Sequence, residues 1–221
     1  MAQTLFTARS GGVSRSDFSG FNLGDHVGDL AEDVATNRKL LSQLLSQKTP
    51  IFMNQVHGPD VVEVTSESKS PVTCDAIITR EAGLPLAVLA ADCLPILISS
   101  SSTVAAVHAG RKGVLNGIIS NTVSAIRKMD DGELVARIGP AICKDCYEVN
   151  PEMYAEAIAK YPALKTSDQL HCLDLRGAAI AQLAELGVAV ISMDICTAHN
   201  SNFFSYRREA KTGRQAGVIV L

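Results

Sequence analysis

Leu86-Ala-Val-Leu-Ala-Ala-Asp-Cys-Leu-Pro-Ile-Leu-Ile98 and, after a serine-rich turn, Thr103-Val-Ala-Ala-Val-His-Ala-Gly110 are the stretches that decide the fold. Their short apolar runs, Leu86–Ala90, Pro95–Ile98 and Thr103–Val107, are typical of strands that are covered on both faces. The last run leads through Gly110 into an apolar-periodic segment from about Val114 to Lys128, which predicts a helix.

Outward from this centre, strands and helices are mixed without strict alternation. Strands are predicted at Ile51–Val56, Val61–Val64, Asp75–Thr79, Glu133–Ile138, Val188–Ile195 and Gly217–Leu221, and helices at Asp29–Ser46 with Asp29 as the cap, from Asn150 onward, and at Leu175–Leu186. Adjacent β runs indicate hairpins, so we expect an α/β (α+β) fold with a mixed sheet. The chain length favours one domain over residues 1–221.

Composition narrows the class of protein. The 221 residues are 47% hydrophobic and 19% charged, with a net charge of −3 and no basic cluster, so we expect neither a nucleic-acid nor a membrane partner. The first ten residues lack the features of an export signal, which predicts a cytoplasmic protein. In that compartment the six cysteines are expected to be thiols or metal ligands rather than disulfides.

Three segments place a histidine or cysteine at the end of an apolar strand beside Gly or Pro, and these residues are His57, Cys93 and His108. Two imidazoles and one thiolate suit zinc, with copper as the less favoured ion, and three protein ligands leave a fourth position for a reactant. The spacing is unlike any compact zinc motif. The same residues also fit a strand cap, a small buried hydrophobe and a histidine bonded to a carbonyl.

Other features carry weaker predictions. The turn after His108 brings Gly110, Arg111 and Lys112 to the start of a helix, which suits either an anion site or an ordinary turn. Cys143-Lys-Asp-Cys146 has no second pair at zinc-ribbon spacing, which favours plain thiols. The remaining histidines lack convincing partners in the sequence and are interpreted as structural or exposed; they are His26, His171 and His199.

Taken together, ordered blocks along nearly the whole chain resemble the YfiH family, also called the laccase-domain or multicopper polyphenol oxidoreductase family. The blocks are Thr7-Ala-Arg-Ser-Gly-Gly-Val-Ser14, Phe21-Asn-Leu-Gly24, Val27-Gly-Asp29, Asn37-Arg38, Asn54-Gln-Val-His-Gly58, Cys74-Asp-Ala76, Ala91-Asp-Cys-Leu-Pro95, Val107-His-Ala-Gly110, Ile138-Gly-Pro-Ala-Ile142, Cys146-Tyr-Glu-Val149, Cys196-Thr197, Phe204-Ser-Tyr-Arg-Arg208 and Thr212-Gly-Arg214. So many blocks in order make the resemblance specific.

The resemblance implies a mixed α/β sandwich in which His57, Cys93 and His108 bind zinc. It also implies phosphorolysis of adenosine, inosine, guanosine and methylthioadenosine, together with adenosine deamination, so that purine nucleosides and phosphate are the expected partners. The older laccase label implies copper-dependent oxidation of phenols. One departure concerns Arg111 and Lys112, which stand where the family usually has Trp and Arg; this bears on substrate range rather than on the metal.

Roles follow as hypotheses. His57, Cys93 and His108 are the expected catalytic and metal-binding residues, and Asp92 or Asp75 is expected to move a proton or to orient a ligand. Contacts to substrate are assigned to Asn22, Arg38, Gln55, Asp75 and Arg111. Three rivals remain open: a cysteine hydrolase using Cys93 with His108 or His57 as base, a copper phenol oxidase, and a non-enzymatic sensor. The sequence carries no prediction of oligomeric state.

Overall fold

Sheets and helices alternate as layers in the computed structural model, which describes residues 2–166 and 171–221. The strands are β1 (Gln3–Phe6), β2 (Met53–Asn54), β3 (Val61–Glu63), β4 (Val72–Thr73), β5 (Ala76–Thr79), β6 (Leu86–Ala90), β7 (Leu94–Ser99), β8 (Val104–Ala109), β9 (Val135–Ile138), β10 (Ala189–Ser192) and β11 (Gln215–Val220). The α-helices are α1 (Ala31–Leu44), α2 (Arg111–Leu115), α3 (Ile118–Arg127), α4 (Pro151–Lys160), α5 (Leu175–Glu185) and α6 (Tyr206–Glu209). The predicted mixed-sheet α/β fold is confirmed.

The largest sheet has six strands in the order β10-β9-β7-β8-β5-β3. Its outermost pairs, β10 with β9 and β3 with β5, are parallel, and the inner pairs are antiparallel. A three-stranded antiparallel sheet has the order β1-β11-β6, and β2 pairs with β4 in a small parallel ribbon. In the hairpin β7–β8 every residue of the two strands is buried, which confirms the apolar runs from which the prediction began.

Three apolar clusters define the layers. One cluster packs α3 and α5 against the outer face of the six-stranded sheet, with Ile118 and Leu183 among its fully buried members. A second lies between the two sheets and includes Leu97 of β7 and Val88 of β6. A third covers the far side of the three-stranded sheet with Leu41 of α1. Residues of β6 alternate between the second and third clusters, because successive side chains of a strand point to opposite faces.

Several local predictions need correction. Asp29 does not cap α1: its carboxylate accepts hydrogen bonds from Leu30 N–H, Ser14 Oγ and Asn22 Nδ2, and the helix begins at Ala31. The helix predicted from Val114 to Lys128 is broken into α2 and α3 at Gly117, whose φ of 88° leaves the helical region. Strands β1 and β4 and helix α6 were not predicted.

Other boundaries agree with the sequence. Asn150 caps α4 by accepting a hydrogen bond at 2.8 Å from the N–H of Met153, and Pro151 occupies the first helical position. Helix α5 ends before Gly187, which has a φ of 68°. In the described part of the chain, no helix combines the length and apolar character needed to cross a membrane.

Candidate metal centre

The three predicted ligands come from separate segments that the sheets bring together. Cys93 lies in the turn that joins β6 to β7, and His108 lies near the end of β8, where it is paired with Pro95. His57 follows β2 and has a left-handed backbone, with a φ of 61°. The paired and buried strands β7 and β8 fix the positions of Cys93 and His108. The turn that carries His57 lies against them.

The side chains converge. One ligand atom from each of His57, Cys93 and His108 lies within 4.8 Å of the others, and Cys93 Sγ is 4.0 Å from His57 Nε2. The two imidazole rings meet edge to face, with centroids 4.7 Å apart. Gly110 permits this approach, since a Cβ there would lie 2.9 Å from His57 Cδ2 and 3.1 Å from Cys93 Sγ. These three residues form a group that could hold a metal ion.

Asp75 organises this group from beneath. Its Oδ1 lies 2.7 Å from His108 Nδ1, which leaves His108 Nε2 as the nitrogen free to coordinate. The same carboxylate accepts hydrogen bonds from the backbone N–H groups of Val56, His57 and Gly58 at 2.7–3.1 Å. One fully buried carboxylate therefore orients His108 and fixes the left-handed turn that carries His57.

Charge within the group favours a thiolate. Burial alone would raise the pKa of Cys93, but the charge and hydrogen bond of His108, with His57, lower it to about 6. Burial would lower the pKa of His108, and the Cys93 thiolate together with Asp75 raises it to about 9. The pKa of Asp75 is lowered: burial opposes this, but the hydrogen bonds from His108 and Gly58 outweigh it. The site is thus built to hold an anionic sulfur, the form that binds metals.

A cavity of about 350 Å³ opens above the three ligands, within the range of small-molecule sites. Its wall includes the three ligands together with His26, Gln55, Leu89, Ala90, Ala91, Asp92, Ile142, Tyr147, Tyr206, Arg207 and Arg214. A larger cleft of about 620 Å³ lies on the surface around Lys48 and Phe52, but none of the three ligands lines it. Because His57, Cys93 and His108 line the smaller cavity, it is the candidate active site.

Asp92 and Gln55 line the cavity, and both are engaged in hydrogen bonds. Asp92 has a φ of 94°, and its two carboxylate oxygens accept hydrogen bonds at 2.6 Å from Thr197 Oγ1 and from the backbone N–H of Arg207. Gln55 bonds both the N–H and the carbonyl of Leu89 at 2.8 Å. Gln55 therefore ties the cavity wall to β6, and Asp92 ties it to the segment around α6.

Asn22 and Arg38 are not brought to the cavity. Asn22 is fully buried, and its Oδ1 accepts hydrogen bonds from the N–H groups of Gly24 and Arg214. Arg38 lines the larger cleft, donates to the carbonyl of Leu23 and stacks over Phe52 at 4.1 Å. In this structure both residues support the backbone next to the cavity rather than line it.

Arg111 borders a second opening on the ligand group. This cleft is lined by Val56, His57, Cys93, Arg111, Lys112 and Tyr147, so the departure from the family pattern lies beside the ligands. Burial, followed by the charge of Cys93, raises the pKa of Tyr147, while Arg111 acts in the opposite direction. Helix α2 has only five residues and begins at Arg111, directly after Gly110.

Sequence reasoning missed the far wall of the cavity. Tyr147 comes from the loop after β9, while Arg207 and Arg214 come from the segment around α6, and no short-range pattern links them to Cys93. Arg207 ties the two parts together: its guanidinium donates to the carbonyls of Cys146 and Glu148 at 2.7 and 2.8 Å. The family block Phe204-Ser-Tyr-Arg-Arg208 was the feature of the sequence that pointed to this wall.

The remaining histidines have neighbours that the sequence did not indicate. His26 lines the cavity, and its pKa is lowered, first by burial and then by the charge of Arg214. His171 meets the ring of Tyr154 edge to face, with centroids 5.4 Å apart. His199 has a clear partner, since its Nε2 lies 3.0 Å from Cys146 Sγ. All six cysteines are free, as the sequence predicted.

Comparison with known proteins places the chain in a family. Residues 3–221 match the family model described as multi-copper polyphenol oxidoreductase laccase. The chain is 40% identical over 229 residues to a purine nucleoside phosphorylase of Corynebacterium glutamicum, covering 98% of this chain and 93% of that protein. It is 37% identical to the purine nucleoside phosphorylase YfiH of Escherichia coli, over 97% of this chain and 92% of that one.

A solved structure agrees with these matches. The crystal structure of the Neisseria meningitidis protein NMB0706 superposes with a TM-score of 0.90 at 34% identity, and the match covers 100% of this chain and 94% of that one. Fold, sequence and length therefore agree along essentially the whole chain. The chain belongs to the multi-copper polyphenol oxidoreductase laccase family, the family of the YfiH proteins.

Proposed function

We propose that this protein is a zinc-dependent purine nucleoside phosphorylase for adenosine, inosine, guanosine and methylthioadenosine, with adenosine deaminase activity at the same site. The observation that carries the proposal is the convergence of His57, Cys93 and His108 within 4.8 Å at the floor of a nucleoside-sized cavity. The names of the relatives supply the reaction class.

The ligand set fits zinc better than copper. Two imidazole nitrogens and one thiolate match the composition of catalytic zinc sites, which use three protein ligands. A multicopper site needs on the order of ten histidines, in line with the imidazole-rich ligation of copper, and this chain has five. When bound, zinc would act as a Lewis acid that polarises a coordinated oxygen and lowers the pKa of bound water.

Phosphorolysis requires the chain to hold an anion against the sugar. An oxygen of phosphate forms a bond to the anomeric carbon, the bond from that carbon to the purine nitrogen breaks, and the purine leaves with the electron pair and takes up a proton. Arg111, beside Cys93, is proposed to hold the phosphate, and Arg214 adds positive charge from the opposite wall. Arg38 and Asn22, which do not line the cavity, are proposed to support the backbone of its wall.

Deamination replaces the C6 amino group of adenosine with oxygen from water and releases ammonia. Asp92 and Asp75 are the acidic candidates near the ligands, and both already hold hydrogen-bond partners with each oxygen. We assign them positioning roles: Asp75 orients His108, and Asp92 holds the segment that carries Arg207. Gln55 keeps the strand end that forms the cavity edge in place.

The experiment that tests the proposal uses purified zinc-loaded protein. Inosine with phosphate is expected to give hypoxanthine and ribose 1-phosphate, and adenosine is expected to give adenine, with inosine from deamination. Products are separated by chromatography, and omission of phosphate should abolish the free bases but not the inosine formed from adenosine. Absence of any product from all four nucleosides, with zinc content verified, would reject the proposal.

A cysteine hydrolase is the second candidate, because the pKa of Cys93 is lowered to about 6 beside His108. Alkylation separates the two: if Cys93 is a metal ligand, added zinc slows its alkylation, whereas a free nucleophile is alkylated at the same rate with or without zinc. Oxygen uptake with a phenol would support the copper oxidase instead. Tight nucleoside binding without turnover would support a sensor.

The proposal locates the reaction in the cytoplasm. Six free thiols, two of them in a Cys-x-x-Cys segment, are in keeping with a reducing compartment.

A further inference from the structure

A second group of metal-type side chains lies apart from the site described above. Ligand atoms of Cys143, Cys146, Cys196 and His199 all lie within 4.8 Å of one another, and none of these residues lines the nucleoside-sized cavity. Cys146 Sγ is 3.0 Å from His199 Nε2. Three of these side chains are partly buried and His199 is exposed.

Two similar turns build this group. Cys143-Lys-Asp-Cys146 is a turn in which the N–H groups of Cys146 and Tyr147 both donate to the carbonyl of Cys143. Cys196-Thr-Ala-His199 is the matching turn, closed by a hydrogen bond of 3.0 Å from Asn200 N–H to the Cys196 carbonyl. The two segments are thus a Cys-x-x-Cys and a Cys-x-x-His facing each other, which is the arrangement of ligand pairs in structural zinc sites.

The backbone holds the two turns in register. Ala141 forms a parallel bridge with Cys196, through hydrogen bonds from Ala141 N–H to Ile195 O and from Thr197 N–H to Ala141 O. The N–H of Cys143 donates to Cys196 Sγ at 3.3 Å. Backbone donors on a sulfur stabilise its anionic form, the form that a metal requires. The group is therefore positioned by the fold and not only by proximity in a loop.

We propose that Cys143, Cys146, Cys196 and His199 form a second, structural zinc site. Four protein ligands fill the tetrahedral shell of zinc, so the site keeps no open position for a reactant. With Zn–S distances of about 2.3 Å and Zn–N of about 2.0 Å, tetrahedral ligand atoms sit roughly 3.5–3.8 Å apart. Atoms already within 4.8 Å need only small side-chain shifts to reach that geometry.

The sequence favoured plain thiols at Cys143 and Cys146 because no second pair lies nearby. The second pair exists, but Cys143 and Cys196 are 53 residues apart in sequence. Disulfide formation is the rival fate of such thiols, and it would leave His199 without a role. The site also differs from a lone Cys–His pair, because two further sulfurs occupy the same small volume.

The second site lies between two segments that form the far wall of the cavity, which indicates a structural role. It joins the loop after β9 to the segment before α6, and these two segments supply Ile142, Tyr147 and Arg207 to the wall of the cavity. Arg207 bonds the carbonyl of Cys146, and Thr197 bonds Asp92. Zinc at this second site would clamp the far wall of the cavity, without touching the substrate. The inference stands whether or not the proposed reaction is correct.

Metal counting tests the proposal. Protein expressed with zinc, purified under reducing conditions and freed of loosely bound metal is analysed by mass spectrometry of the elements. The wild type is expected to hold two zinc ions per chain, Cys93→Ala one, Cys196→Ser one, and the double variant none. Cys74→Ala, which removes a buried thiol outside both groups, is the control and should keep both ions.

Cobalt spectra identify the ligands of the second site even if the Cys196→Ser variant fails to fold. Cys93→Ala loaded with cobalt is expected to show the intense visible bands of a tetrahedral site and strong thiolate-to-metal charge transfer. His199→Ala changes an exposed side chain and is expected to weaken zinc binding at this site at least tenfold without unfolding the chain. No zinc in Cys93→Ala, an unchanged count in Cys196→Ser, or a Cys143–Cys146 disulfide in the freshly purified protein would overturn the proposal.

Discussion

The Oδ1 atom of Asp75 lies 2.7 Å from Nδ1 of His108, and both side chains are almost completely buried. The same carboxylate accepts the backbone N–H groups of three consecutive residues that end the turn at His57. Two of the proposed metal ligands, which come from different segments, are therefore positioned by a single carboxylate. Such partners behind a metal-binding histidine fix its tautomer and the direction of its free nitrogen.

Replacing Asp75 should weaken metal binding more than it changes the fold. Asp75→Asn is expected to lower the zinc affinity of the first site by about 10–100-fold, the usual effect of losing such a carboxylate. Asp75→Ala also leaves buried donors without an acceptor and should cost about 3 kcal/mol of stability. Affinity is measured by competition with a chelator, in the Cys196→Ser background. Asp60→Asn removes an exposed carboxylate from the neighbouring strand region and should leave affinity unchanged; equal affinity in Asp75→Asn would refute the role.

Asp92 is expected to act as a positioning residue. Its carboxylate holds Thr197 and the backbone of Arg207, so Asp92→Asn should raise the KM for nucleoside about tenfold while kcat falls less than tenfold, because geometry is loosened but no reacting group is lost. Thr197→Val should shift KM in the same direction. Steady-state kinetics across pH provides the check: a kcat loss above about a hundredfold with one limb of the pH profile missing would mean that Asp92 moves a proton.

Arg111 is expected to select for phosphate. Arg111→Ala should raise the KM for phosphate by about tenfold and leave the KM for inosine nearly unchanged, because its charge borders the cleft beside Cys93. Arg111→Lys keeps the charge, so its KM for phosphate should lie between those of the wild type and Arg111→Ala. Arg80→Ala, which removes an exposed cation paired with Glu63, is the matched control. A parallel rise in both KM values would show that Arg111 shapes the cavity instead of holding the anion.

Glu209 should make stability depend on pH. Burial would raise its pKa, but the Thr212 hydroxyl and Arg9 lower it below the usual 4.5. The stabilisation is therefore present above about pH 4.5 and is lost as pH falls through the lower pKa of the folded state. Glu209→Gln should cost on the order of 1 kcal/mol at pH 7, with the difference from wild type shrinking below pH 4.5. The free energy of unfolding is measured with denaturant across this pH range, with Glu63→Gln as the control. A difference between Glu209→Gln and the wild type that does not change with pH would contradict this account.

Much of the architecture is predictable because it depends on local patterns. The run Leu86–Ala90 gave β6 to the residue, and Asn150-Pro151 gave the start of α4, since both signals lie within a few residues. The break at Gly117 was missed because the apolar period of α2 and α3 continues across it. Asp29 looks like a helix cap in sequence, but Ser14 and Asn22 claim its carboxylate.

The site divides in the same way. His57, Cys93 and His108 could be named because each ends an apolar strand, and the structure brings them together. The partner of Cys146 could not be found, since His199 reaches it only through pairing of two loops that are distant in sequence. Arg207 and Arg214 also line the cavity, and their place there could not be predicted for the same reason. Long-range pairing of loops leaves no periodic trace in the sequence.

Return of activity with zinc tests the central claim most directly. Metal-free wild-type protein and the Cys93→Ala variant are titrated with zinc while the phosphate-dependent release of hypoxanthine from inosine is recorded. The account predicts that the wild type is inactive without metal and gains rate until its sites are filled, whereas Cys93→Ala stays inactive at every zinc concentration. A metal-free wild type that turns over inosine at the full rate would contradict it.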